Sequence, residues 1–250
     1  MRLLLVNPNM TQAMTDSMAA IARQLAGTRA DIVPLTATRG FPYIASRAEA
    51  QIAGGVALEM IAENLEGIDA VVIAAFGDPG LIAAREIFDV PVVGMAEASV
   101  LSAAMLGERF SIVTFSPVMR RWYSDCVAAT GLGQRFTGVR TPQRHAPDVL
   151  HARTAQRAAL IELSRAAALE DGADVVILGG APLAGLAPEI ADEVPAVVID
   201  PIATATAQAL ALASLRIAGP SRASRPIGKS SVGLSPALSR IIAAESPLPG

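Results

Sequence analysis

The chain has 250 residues, 52% hydrophobic and 17% charged, which is enough apolar material for a sizeable core in one large domain or two lobes and too little charge for general disorder. A net charge of -3 supplies no basic surface for nucleic acid. No apolar run is long enough to span a membrane, so the expectation is a cytoplasmic protein with no membrane contact.

Met1-Arg-Leu-Leu-Leu-Val6 is apolar but stops at Asn7, too short for the core of a signal peptide. Strands are expected at Leu3–Val6, Asp31–Leu35, Ala70–Ala74 and Val90–Gly94, each short, β-branched or Leu-rich, and bounded by Asn, Pro or Gly. Ala-rich helical patterns lie between them at Thr11–Leu25, Arg47–Leu65, Leu81–Phe88 and Glu97–Leu106. The second half repeats the alternation. Strands are expected at Phe110–Thr114, Phe136–Val139, Val175–Leu178 and Ala196–Ile199, and helices at Val118–Thr130, Pro147–Glu170, Leu186–Asp192 and Ala203–Ile217. Such alternation predicts parallel sheets covered on both faces.

The halves match one another. Asn7-Pro-Asn9 corresponds to Thr114-Phe-Ser116, Ala75 to Gly180 and Pro91 to Pro195, at offsets of 107, 105 and 104. Three matches in order indicate an internal duplication. The expected fold is therefore α/β with two pseudo-symmetric lobes, 1–106 and 107–217, with helix 203–217 able to pack back on the first lobe. Residues 218–250 form a turn-rich tail, in which Ala237–Ala244 suits a last short helix.

Two scarcities exclude mechanisms. Lys229 is the only lysine and lies in the tail, a poor place for a Schiff base. Cys126 is the only cysteine, which excludes an intrachain disulfide and a cysteine-based zinc cluster. With two histidines, His145 and His151, a histidine-rich metal site is excluded, while a mixed His/carboxylate site stays open. No phosphate-binding glycine motif follows a strand, so no cofactor is expected.

Ligands of parallel α/β sheets bind beyond the carboxyl ends of the strands. The residues leaving those ends include Asn7 and Asn9; Tyr43; Ala75, Phe76, Gly77 and Asp78; Thr114 and Ser116; Arg140 and His145; and Gly179, Gly180 and Ala181. Glycine turns exposing N–H groups, with neutral Asn, Thr and Ser side chains, suit a small anion or carbonyl compound. Each has a plainer reading. Asn7, Asn9, Thr114 and Ser116 fit turns or helix caps equally well, and Asp78 before Pro79-Gly80 fits a turn or cap better than an acid catalyst.

The motifs Val6-Asn-Pro-Asn-Met-Thr11, Phe76-Gly-Asp-Pro-Gly-Leu81 and Pro91-Val-Val-Gly-Met-Ala-Glu97 resemble the aspartate/glutamate/hydantoin racemase superfamily, most closely its hydantoin and allantoin racemase branch. The resemblance covers about residues 1–217. It implies a pocket for a small ligand between the lobes, a homo-oligomer, and a catalytic cysteine at each of two strand ends. Ala75 and Gly180 stand at those ends here. A decarboxylase branch keeps one of the two cysteines, and this chain lacks that one as well. That branch also uses a tyrosine near Tyr123 to bind substrate, although a helix tyrosine with no such role is an equal reading. Glu97 matches a family pattern and fits either a structural hydrogen bond or substrate contact.

Cofactor-free racemisation needs a base and an acid on opposite faces of the carbon, and neither Ala nor Gly supplies one. Three readings follow. The first is an enzyme with altered chemistry, hydrolytic, desulfurising or lyase-type, using His145, Asp78, Glu97 or Tyr43 as acid or base. The second is a silent small-ligand binder. The third is a racemase trapped by cysteine substitution. Cys126 sits on the helix after Ser116, too far along to replace either thiol, and reads as a packed core thiol.

Overall fold

The computed structural model describes residues 1–144, 148–216 and 225–244. Among these residues, eight strands form two four-stranded parallel sheets. The first contains β1 (Arg2–Asn7), β2 (Asp31–Thr36), β3 (Ala70–Ile73) and β4 (Val92–Gly94), ordered β2-β1-β3-β4. The second contains β5 (Phe110–Val113), β6 (Phe136–Arg140), β7 (Val175–Leu178) and β8 (Val197–Ile199), ordered β6-β5-β7-β8. The two orders are the same permutation, as a duplicated unit requires. β3 and β7 are buried along their whole lengths, which is why both read as unbroken apolar runs. Pro34 has no N–H to give, and it is tolerated because β2 is an edge strand.

The helices of the first half are α1 (Gln12–Ala26), α2 (Arg47–Glu63), α3 (Leu81–Ile87) and α4 (Met95–Leu106). Those of the second are α5 (Met119–Ala129), α6 (Ala152–Ala155), α7 (Arg157–Leu169), α8 (Ala187–Ile190) and α9 (Pro201–Ser214). Caps set several starts. Ser46 accepts the Glu49 N–H while Glu49 accepts the Ala45 N–H, a reciprocal box at the head of α2. Asp200 accepts from the N–H groups of Ile202 and Ala203, with Pro201 at the first position of α9. α9 packs against α1, α4 and β3, so the chain returns to the first sheet after completing the second.

Three expectations need adjustment. The single helix expected at Pro147–Glu170 is two, α6 and α7, divided at Gln156, whose φ of -111° leaves the helical region. Pro147 lies outside the described residues. The helix expected at Leu186–Asp192 keeps only four α-helical residues before tightening into a 3-10 turn. α4 begins two residues before Glu97, directly at the end of β4, because a side chain from another loop caps it, as described below.

One apolar core runs through both sheets, from Leu5 and Val72 to Ile112 and Ile177. A smaller core lies under α2 and α3 and is closed by the tail. There α10 (Pro236–Ala243), capped by Ser235, packs on α2 and buries Leu238 among Ile61, Phe88 and their neighbours. Arg225 donates to the carbonyl of Ile87, and Ser235 N–H donates to Glu59. The described part of the tail thus covers α2 and α3.

Candidate active site

The carboxyl ends of β3, β5 and β7 meet where the two halves touch. Phe76, just after β3, stacks edge-on against Tyr123 of α5 with ring centroids 4.6 Å apart. A Cβ built on Gly179, after β7, would lie 3.2 Å from Phe76 Cε1 and 3.1 Å from Tyr123 Cε2. The strand ends predicted from the duplication are therefore brought together, with aromatic rings between them.

Gly180 has φ +122° and ψ 136°, a region that side chains of L-residues rarely adopt. A Cβ there would stand 2.7 Å from Phe115 Cε1 and 3.5 Å from the Tyr123 hydroxyl. Phe115 fills the space a side chain at 180 would need. At the other end Ala75 is buried with an ordinary backbone, and the next residue but one, Gly77, carries the indole of Trp122 so closely that a Cβ would lie 2.2 Å from Cζ2.

The polar groups here are neutral. Thr114 is fully buried, and its hydroxyl has no hydrogen-bond partner, although it lies beside the Tyr123 phenol. The Tyr43 hydroxyl is buried and likewise unpartnered. Unpaired buried hydroxyls cost about 1–3 kcal/mol each, so a pair at one site marks a place for a polar ligand. Burial pushes both phenols well above the ordinary tyrosine range, and for Tyr43 the nearby Glu49 carboxylate pushes the same way. Both are hydrogen-bonding phenols, not phenolate bases. The loop carrying Tyr43 is pinned by Met10 N–H to the Phe41 carbonyl and by the Thr11 hydroxyl to that of Pro42.

Asn7 and Asn9 form Asx-type turns just before α1, whose N-cap is Thr11. The Asn7 amide donates to Asn9 Oδ1 and to Thr15 Oγ1, and Asn9 Oδ1 accepts the Thr11 N–H at 3.0 Å. Asp78 is partly buried at φ 52°, and its two oxygens accept from Ala96 N–H and Glu97 N–H, both at 2.8 Å. It caps α4 across the loop. Burial raises its carboxyl to about 7, against the pull of those two N–H groups. Glu97 is held by Arg85 through two hydrogen bonds, one of 2.9 Å. Ala181 lies in a separate cleft with Met14, His151 and Arg153. Arg140 is committed to Asp171 and Glu170. Cys126 is half-buried and its thiol is pushed up to about 12, first by desolvation. His145 lies outside the described residues. Among the described residues no three His, Cys, Asp or Glu side chains are placed to hold a metal ion.

Beside the strand ends opens a cleft of about 640 Å³ whose walls include Tyr43, Phe115, Ser116, Val118, Arg121 and Trp122. Sequence reading placed Tyr43 and Ser116 here but did not single out Trp122 or Arg121. Their one signal was position, on the first turns of the helix that follows Ser116.

Two parallel sheets of one strand order, their strand ends brought together beside a cleft, define an α/β protein of two like halves. The family model for Asp/Glu/Hydantoin racemase matches residues 3–209, and the chain belongs to that family. It is 36% identical over 220 residues to a hydantoin racemase of Paenarthrobacter aurescens, covering 86% of this chain and 92% of the relative. It is 37% identical over 201 residues to a hydantoin racemase of Pseudomonas sp. (strain NS671), covering 80% and 81%. The structure of allantoin racemase from Klebsiella pneumoniae superposes with a TM-score of 0.88 at 31% identity, over 95% of this chain and 98% of that one. No described helix is long and apolar enough to cross a membrane.

Proposed function

We propose that this chain is a cofactor-free enzyme that binds a small hydantoin-like or carboxylate compound at the strand ends marked by Ala75 and Gly180 and acts on it by non-racemising chemistry, hydrolytic or lyase-type. The observation that carries this reading is the character of the groups at those ends. Racemisation requires a base on one face of the carbon and an acid on the other. Ala75 offers a methyl group, and Gly180 offers nothing. The nearest phenol, Tyr123, is held neutral by burial. Neutral hydroxyls of Thr114, Tyr43 and Tyr123 suit stabilisation of a carbonyl oxygen or developing oxyanion, not removal of a Cα proton. His145 is the acid/base candidate of this proposal.

The trapped-racemase reading loses ground to the backbone at Gly180. A cysteine there would meet both a disfavoured φ and the Phe115 ring. The silent-binder reading gains one specific support: Asp78 and Glu97, the two carboxylates nearest the site in sequence, are both engaged in holding α4.

The test is a thermal-shift screen with hydantoins, thiohydantoins, allantoin, and aspartate- and malonate-type acids, each hit then followed by proton NMR in D2O. Consumption of a stabilising ligand without Cα–H exchange is the expected result. Exchange or inversion at Cα refutes the proposal, and a ligand that binds and stays intact favours the silent binder. Wild-type enzyme and an Ala75→Cys/Gly180→Cys variant should both fail to racemise.

A further inference from the structure

Beyond the strand ends, the adjoining cleft has its own chemistry. Neither Ala75 nor Gly180 lines it. Its walls carry three aromatic side chains, Tyr43, Phe115 and Trp122, backed by Ala45, Ala48, Val118 and Val149. Trp122 packs against Gly77 and Phe115 against Gly180, so both rings are backed by the strand-end turns. Such a slot accepts a flat apolar group between ring faces and edges.

The lining contains two arginines and no carboxylate. Arg47 is compensated by Asp125 across the groove. The Glu49 carboxylate, close enough to Tyr43 to raise its pKa, is turned into the α2 cap, where it accepts from Ala45 N–H. Arg121 is exposed and, among the described residues, has neither a hydrogen-bond nor an ion-pair partner. A guanidinium free to form a paired, charge-assisted contact selects a planar carboxylate. The Tyr43 hydroxyl is a second polar group without a partner.

We propose that this cleft is a binding site for an aromatic carboxylate, its ring held among Tyr43, Phe115 and Trp122 and its carboxylate met by Arg121. The cleft adjoins the strand ends and shares Tyr43 with the function proposed above, but the inference concerns binding alone and does not depend on the reaction.

The chain supplies its own reporter. Trp122 is the only tryptophan, and it forms part of the wall, so its emission reads occupancy of this cleft. The full chain is titrated with phenylacetate, with the neutral isostere phenylacetamide, and with acetate. Phenylacetate is expected to change Trp122 emission saturably, with phenylacetamide and acetate each weaker by about tenfold or more. Arg121→Gln should bring phenylacetate down to the level of the amide, and Arg121→Glu should weaken it further. Both variants alter an exposed side chain, and far-UV circular dichroism confirms that they fold. A change linear in ligand concentration, equal responses to the three compounds, or an undiminished response in Arg121→Gln overturns the proposal. The hydantoin screen reads consumption of ligand and not Trp122 emission, so either proposal can fail while the other stands.

Discussion

Replacing Gly180 by alanine adds one methyl group at the point where the two halves meet. Two costs follow from the geometry. Holding an L-residue at φ +122° costs about 1–3 kcal/mol. Placing a Cβ 2.7 Å from Phe115 Cε1 forces that ring or the backbone to move, an overpacking cost of about 1–3 kcal/mol. Together they come to roughly 2–6 kcal/mol, a large part of the ~5–15 kcal/mol typical of a folded domain. At about 2–4 °C per kcal/mol for a chain of this size, the melting temperature should fall by roughly 4–24 °C. Urea unfolding followed by far-UV circular dichroism gives the free-energy difference from the midpoint and slope. A cycle with Phe115→Leu separates the terms. Relief of the steric share appears as a coupling of about 0.5–3 kcal/mol, and the backbone share remains. A Gly180→Ala protein within about 0.5 kcal/mol of wild type would refute the account, and with it the argument against a latent cysteine site.

Three further outcomes are expected. Asp78 has its pKa raised to about 7 from 3.8, so the folded state holds this proton longer than the unfolded one. Its contribution is most favourable below about pH 4 and falls as pH rises toward 7, by up to ~1.4 kcal/mol per unit. Asp78→Asn should remove that slope from the stability-versus-pH curve, and an unchanged slope contradicts the assignment. Leu238→Ala should cost about 2–4 kcal/mol locally, seen as faster proteolysis within 225–244, because Leu238 closes the smaller core. The Arg47–Asp125 pair joins α2 to α5, but both side chains are more than half exposed, at 51% and 57%. A double-mutant cycle should therefore find a coupling of only ~0–1 kcal/mol that shrinks in high salt.

The architecture was legible because its signals are local. Buried runs such as Val175–Leu178 and the repeated turn after each sufficed for eight strands in two equal sets, with boundaries shifted by at most two residues. The early start of α4 was hidden because its cap, Asp78, comes from another loop, 18 residues away from Ala96. The division at Gln156 has no proline or glycine to announce it. At the site, the family resemblance directed attention to positions 75 and 180 but gave no sign of what packs around them. The pairing of Phe115 with Gly180, like that of Trp122 with Gly77, is a contact between distant segments that no pattern along the chain encodes. The commitment of Glu97 to Arg85 is of the same kind. The Asn7–Asn9 turn was foreseen, and its hydrogen bonds are those of Asx turns leading into α1.

The two halves share one strand order, yet their corresponding ends no longer carry equivalent surroundings. After β3 the chain presents a methyl on an ordinary backbone. After β7 it presents a bare, inverted backbone overlooked by a phenol. A twofold frame offers a flat molecule two like faces; this one has become left and right.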